Sequence, residues 1–228
     1  LGIVESEFRF DQLEGIEGIH FHTLCESNAN SLVETWKVVE QKFGSIFHSL
    51  KWINLGGGHH ITKEDYNLAQ LIQLINKIGK KYDVDVILEP GEAVALNAGY
   101  LVSTVVDIVK NQMNVAILDA SATTHMPDVL EMPYRPQILG ASEPDDFPYT
   151  YRLTGTTCLA GDIIGDYSFP QPLQIGDPLV FTDMLHYTMV KNHTFNGINL
   201  PSIAIWTGDQ QLKVIRSFGY ADYKMRLS

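Results

Sequence analysis

The sequence predicts an α/β protein in which part of a (β/α)8 TIM-type barrel is followed by a mostly β C-terminal domain. Two textures carry this reading. Before Pro90-Gly91, short apolar runs alternate with amphipathic stretches, the pattern of parallel strands connected by helices. After it, β-branched runs are broken by Gly, Pro, Asn and Asp, as in a β-rich unit. The boundary falls near Asn97 to Tyr100, which assigns residues 1–98 to the barrel portion and 99–228 to the β-rich domain.

In the first part, strands are expected at Leu1 to Val4, Gly18 to His22, Trp52 to Leu55 and Val84 to Glu89. Ser31-Leu-Val-Glu34 reads as a capping box, so a helix should begin there. Leu32, Trp36, Val39 and Phe43 would form its apolar face and Gly44 its left-handed stop. A second helix is expected from about Thr62 to Ile78, with Leu68, Leu71, Ile72, Ile75 and Ile78 inward and Gly79 at its end. Leu101 to Val109, Val115 to Leu118, Pro178 to Phe181 and Ile203 to Trp206 are expected strands of the second part, and Met126 to Pro148 a long functional loop. A closed barrel needs eight strand-helix units and about four are visible. Either residues preceding Leu1 complete it, or the first part is a small open sheet. The start on Leu-Gly-Ile-Val favours a chain that is the C-terminal part of a longer polypeptide.

The formal charge of -11 argues against a nucleic-acid groove, which needs clustered Lys and Arg. No apolar run reaches the ~18 residues of a membrane span, and Leu1 to Phe10 lacks the signature of a signal peptide. Two cysteines, Cys25 and Cys158, do not make a disulfide framework, so a cytoplasmic location is expected.

Several segments could carry chemistry. Gly56-Gly57-Gly58 follows a strand and precedes a helix, where backbone N–H groups can approach an anion without a Cβ in the way. His20 and His22, two apart on a strand, share one face, while His59 and His60 read as surface or loop histidines rather than a metal pair. Glu89, in Leu88-Glu-Pro-Gly-Glu92, places a carboxylate at the C-terminal tip of a strand. Cys158 lies in Thr157-Cys-Leu-Ala-Gly-Asp162, and Tyr187 reads as a strand aromatic.

In this order the segments resemble the alanine-racemase-fold pyridoxal-phosphate decarboxylases of basic amino acids, which include ornithine and diaminopimelate decarboxylases. The resemblance spans essentially the whole chain. It implies that His22 stacks on the ring of pyridoxal 5'-phosphate, Gly56, Gly57, Gly58 and Tyr187 hold the phosphate, and Glu89 pairs with the ring nitrogen. Cys158 and Asp162 resemble the loop donated across a homodimer interface, with Cys158 as proton donor. His20-Phe-His-Thr-Leu-Cys-Glu26, Gly56-Gly-Gly-His-His60, Glu89-Pro-Gly-Glu92 and His125-Met-Pro-Asp128 resemble the polyamine branch of the family. They imply decarboxylation of carboxynorspermidine or carboxyspermidine to norspermidine or spermidine, with Glu92, Asp128 and Asp162 toward the small-molecule substrate and no metal, nucleic-acid or membrane partner.

Two departures qualify the resemblance. No lysine has the setting of the family's Schiff-base lysine, Lys51 being on the wrong side of the motif order, so this polypeptide alone is expected to be inactive. Glu92 stands where ornithine decarboxylases carry a phosphate-binding arginine, and should turn away from that group. The alternatives are a diaminopimelate or other basic amino-acid decarboxylase, for which Leu159 stands in place of a substrate-binding glutamate, and a non-catalytic homologue.

Overall fold

Three short strands, β1 (Gly18–His20), β2 (Trp52–Asn54) and β3 (Asp85–Ile87), lie parallel in that order, and α1 (Ala29–Phe43) and α2 (Leu68–Tyr82) connect them. The computed structural model describes residues 2–227, and the chain divides into two units that meet in sequence at Leu96 and Asn97. The strands of the first unit are in phase. Gly18, Trp52 and Asp85 are level across the sheet, as are His20, Asn54 and Ile87 two residues on. Parallel strands end at a common edge, so the segments following His20, Asn54 and Ile87 emerge together. Bonds from Phe21 N to Asn54 O (3.1 Å), Leu55 N to Ile87 O (2.9 Å) and Glu89 N to Gly56 O (2.9 Å) stitch these segments together beyond the regular ladder.

Among the described residues the strand expected at the start is absent. Leu1 lies outside the described residues. Residues 2–4 have no strand partner and run into a 3-10 turn at Glu5–Glu7, leaving Ile3 and Val4 exposed. Residues without a neighbouring strand to bond cannot make a strand themselves.

Helix α1 starts two residues before the expected cap. Asn28 Oδ1 accepts from Ala29 N (2.7 Å) and from Asn67 N (2.9 Å), while its Nδ2 donates to Asp65 O (2.9 Å). One side chain thus caps α1 and ties it to the entrance of α2, an advantage that the local Ser31 signal could not offer. Ser31 is inside the helix, its carbonyl accepting from Thr35 Oγ1 at 2.9 Å. Leu32 and Trp36 are buried as expected; Trp36 stacks on Phe47, which meets Tyr82 edge-on. Burying such a side chain contributes roughly 1.5–3 kcal/mol. Gly44 is right-handed (φ -58) and the chain tightens into a 3-10 helix, Gly44–Ser49, rather than stopping.

Helix α2 begins at Leu68, where Asn67 Oδ1 accepts from Gln70 N at 3.1 Å. Its inward face is Leu71, Leu74, Ile78 and Tyr82, whereas Leu68 and Ile72 are exposed, which rotates the expected face. Gly79 lies within the helix. Asp83, at φ 57, makes the left-handed exit, and Lys80 and Lys81 suit the negative end of the dipole.

The second unit is built on a five-stranded sheet. Its strands are β4 (Tyr100–Asn111), β5 (Met113–Leu118), β6 (Tyr149–Thr154), β7 (Ile163–Phe169) and β8 (Pro178–Thr182), in the order β7-β6-β5-β4-β8. Only β5 and β6 pair in parallel. Val105, Ala116, Leu118, Leu153, Tyr167 and Phe181 form the core on this sheet. Two short helices, α3 (Ala122–His125) and α4 (Asp128–Glu131), follow β5, and α5 (Tyr187–Val190) follows β8. Tyr187 therefore opens a helix and is not a strand aromatic. A separate hairpin of β9 (Ile203–Trp206) and β10 (Leu212–Arg216) precedes α6 (Tyr220–Leu227).

The segment from Met126 to Pro148 is anchored at several points, although much of it is exposed. Met126 is fully buried, Ile138 bridges to Phe181, Ser142 bridges to Ser168, and the Arg135 guanidinium lies 4.6 Å from the Tyr167 ring centroid. Among the described residues no helix is long and apolar enough to cross a membrane.

Candidate active site

The edge where β1, β2 and β3 end gathers Glu89, His22, His20 and the glycine turn. Asn54, the last residue of β2, organises it. Its Nδ2 donates to Glu89 Oε1 at 2.8 Å, and its Oδ1 accepts from Gly56 N at 2.8 Å. Glu89 Oε2 lies 3.5 Å from His20 Nε2. His22 Nδ1 accepts from Gly57 N at 3.3 Å, which assigns the ring proton to Nε2 and orients the imidazole. One potential ligand atom from each of His20, His22 and Glu89 lies within 4.8 Å of the others, on side chains open to solvent.

The glycines permit this convergence. A Cβ on Gly56 would stand 2.4 Å from Phe21 O, and one on Gly57 2.5 Å from Glu89 O. Both obstacles are backbone, so any larger residue forces the strand ends apart. Gly56 and Gly57 have committed their N–H groups to Asn54 and His22. Among the described residues nothing accepts from the N–H of Gly58 or His59, which leaves these two donors for an anion.

His59 and His60 are buried, contrary to the surface reading of the sequence. His59 bonds Leu55 O through Nε2 at 3.2 Å, and burial pushes its pKa down. His60 Nε2 lies 3.3 Å from Glu92 Oε2, and Thr62 Oγ1 donates to Ala93 O at 2.5 Å. These contacts fasten the loop after β2 to the loop after β3. Glu92 thus has an imidazole beside its carboxylate.

The other sequence-derived candidates belong to the second unit. Asp162 is buried, accepting from Ser121 Oγ (2.9 Å to each oxygen), Ala122 N (2.8 Å), Thr157 N (3.2 Å) and Thr157 Oγ1 (2.6 Å). It ties the turn carrying Cys158 to the start of α3. Cys158 is exposed, and its Sγ accepts from Asn196 Nδ2 at 3.2 Å. Asp128, 7% exposed, takes Tyr134 Oη (2.7 Å) and Thr188 Oγ1 (3.2 Å) on Oδ2, and its enclosed Oδ1 has no partner among the described residues. Tyr187 is half-exposed, with Lys191 Nζ 5.7 Å from its ring centroid.

Residues 16–184 match the family model of the pyridoxal-dependent decarboxylases, C-terminal sheet domain. The chain belongs to that family. Pyridoxal-dependent decarboxylases similar to it include the carboxynorspermidine/carboxyspermidine decarboxylase of Campylobacter jejuni, 47% identical over 99% of this chain and 62% of the relative. The carboxyaminopropylagmatine decarboxylase of Synechocystis is 44% identical over 100% of this chain and 59% of its own length. Among solved structures, carboxynorspermidine decarboxylase from Campylobacter jejuni complexed with norspermidine superposes with a TM-score of 0.88, at 47% identity, covering 99% of this chain and 65% of that one. This chain thus spans about three fifths of the length of the curated relatives it matches.

The residues present fit the cofactor of pyridoxal-dependent decarboxylases. A carboxylate stands beside an imidazole of fixed orientation, and two uncommitted backbone N–H groups follow the glycine turn, an acceptor for the ring nitrogen and donors for the phosphate of pyridoxal phosphate. Lys51 does not belong to this edge: it precedes β2 at the opposite end and pairs with Glu17. Sequence reasoning missed Asn54, Ser121, Tyr134 and Thr188. Asn54 had a signal, being a polar residue at the end of an apolar strand directly before the glycines; the other three are neighbours only in space.

Proposed function

We propose that this chain is part of a pyridoxal-phosphate decarboxylase of carboxylated polyamines, with carboxynorspermidine and carboxyspermidine as substrates. The observation that carries the proposal is the Asn54-held Glu89 carboxylate beside His22 at the strand edge, in a chain 47% identical to a decarboxylase of that name. On this reading the first unit is the C-terminal portion of a TIM-type barrel, and the three parallel strands support it.

When bound, pyridoxal phosphate supplies the electron sink that accepts the electron pair left by departing carbon dioxide. Glu89 holds a proton on the ring nitrogen, because an anion at that point favours the charged ring. His22 covers one ring face, and Gly58, at the end of the glycine turn, offers its N–H to the phosphate, with Tyr187 as a further phosphate ligand. Gly56 and Gly57 shape the turn. Cys158, exposed and oriented by Asn196, donates the proton that replaces the lost carboxylate. Asp128 accepts from a substrate ammonium group, with Glu92 as the second acid, because a desolvated ammonium needs a charged acceptor. Asp162 acts on the substrate indirectly, by holding the Cys158 turn. A homodimer that shares its sites across the interface accommodates the two sets of residues.

Release of carbon dioxide by the full-length protein tests the function. With pyridoxal phosphate added, carboxynorspermidine or carboxyspermidine should be consumed at least ~10-fold more efficiently, in kcat/KM, than ornithine or diaminopimelate, a difference worth about 1.4 kcal/mol of transition-state binding. Preference for diaminopimelate would overturn the substrate assignment. Absence of decarboxylation with every substrate would overturn the enzyme.

A further inference from the structure

His20 is half-exposed and has no role in the core. Among the described residues its one polar contact is the approach of Nε2 to Glu89 Oε2 at 3.5 Å. The other histidines near this edge are committed elsewhere: His22 to Gly57 N, His59 to Leu55 O and His60 to Glu92.

Strand register puts His20 where it stands. It is level with Asn54 on β2 and, through it, with Ile87 on β3, and level residues of parallel strands project to the same side of the sheet. Glu89 follows Ile87 by two. Its carboxylate is therefore approached by Asn54 on one oxygen and by His20 on the other. A carboxylate held at Oε1 alone can still swing about that bond, so a second donor on Oε2 is what fixes its plane.

We propose that His20 is a positioning residue for Glu89, completing with Asn54 a two-sided clamp that aims the carboxylate at the ring nitrogen of the cofactor. The proposal rests on the reading of Glu89 as the partner of that nitrogen. The 3.5 Å separation is longer than a good hydrogen bond, and such contacts tighten when a site is filled.

The test compares equilibrium binding of pyridoxal 5'-phosphate and of its 1-deaza analogue, in which carbon replaces the ring nitrogen, to the full-length protein. The wild type should prefer the natural cofactor. His20→Ala should cut that preference ~3- to 10-fold, by weakening pyridoxal phosphate and leaving the analogue unchanged, the size of one modest hydrogen bond. His20→Gln, which retains an N–H donor, should restore most of it; His20→Phe, which fills the space without a donor, should not. An unchanged preference in His20→Ala overturns the clamp, and so does an equal loss for both ligands, which marks a purely structural residue. Glu89→Gln separates the two ideas. If it abolishes the preference while His20→Ala does not, only the role of His20 fails; if it leaves the preference intact, the reading of Glu89 fails with it.

Discussion

Asn54 joins the Glu89 carboxylate to the glycine turn through a single amide, donating to Glu89 Oε1 and accepting from Gly56 N, both at 2.8 Å. The task needs one donor and one acceptor on a short planar group, which the Asn amide provides. Asn54→Ala should leave the enclosed Gly56 N–H unpaired and destabilise the first unit by about 1–3 kcal/mol. It should also weaken pyridoxal phosphate binding. Denaturant midpoints and cofactor titration would show both effects; wild-type values for both would remove Asn54 from the site.

Gly57 should tolerate no side chain. Its hypothetical Cβ meets Glu89 O at 2.5 Å, and a backbone atom has no rotamer by which to retreat. Gly57→Ala is expected to cost more than about 2 kcal/mol, among the large single-residue effects. Gly161, with nothing within 4 Å of its hypothetical Cβ, is the control and should change stability by less than about 0.5 kcal/mol as Ala. Equal thermal stability of the two variants would show that the turn can open.

Asp162 is the acceptor for hydroxyls and backbone N–H groups of Ser121, Ala122 and Thr157. Asp162→Ala strands these donors in a buried place, at a cost of at least about 3 kcal/mol when each is worth 1–3. The Cys158 turn should loosen with it. Faster alkylation of Cys158 in a variant that remains folded is the expected signature, and an unaltered rate with unaltered stability would contradict the role.

Two buried histidines set an acid limit. Burial lowers the pKa of His59 and of His125 below the ordinary 6.5, and backbone carbonyls of Leu55 and Asn199 offset this only in part. The unfolded chain therefore binds more protons than the native one as pH falls through about 6.5, so stability present above that pH is lost below it. His125 Nδ1 also accepts from Ser121 N at 3.1 Å, a bond that protonation would remove. The melting temperature should drop from pH 7.5 to pH 5, and less so in His125→Gln, whose amide cannot titrate. An equal drop in that variant would acquit His125.

The sequence by itself determined where the three parallel strands lie, because Ile19, Ile53 and Val86 sit in apolar runs flanked by turn residues, and that signal is local. It also determined the order of His22, the glycines and Glu89, since each ends or follows one of those strands. Only the tertiary structure decided that α1 is capped by Asn28 rather than Ser31, as the choice depends on Asp65 and Asn67 far along the chain. It decided that His59 and His60 are buried, and that Leu68 and Ile72 face solvent while Leu74 and Tyr82 face the core. Strands β6, β7 and β10 were missed because their mixed polar and apolar residues become strands by pairing, β6 with the distant β5 (Arg152 level with Val115) and β7 and β10 with the strands just before them. The clamp on Glu89 is the plainest case. His20 and Asn54 are level on β1 and β2, Glu89 follows Ile87 of β3 by two, and what brings them together is the register of backbone hydrogen bonds, a property of the sheet that no stretch of sequence contains.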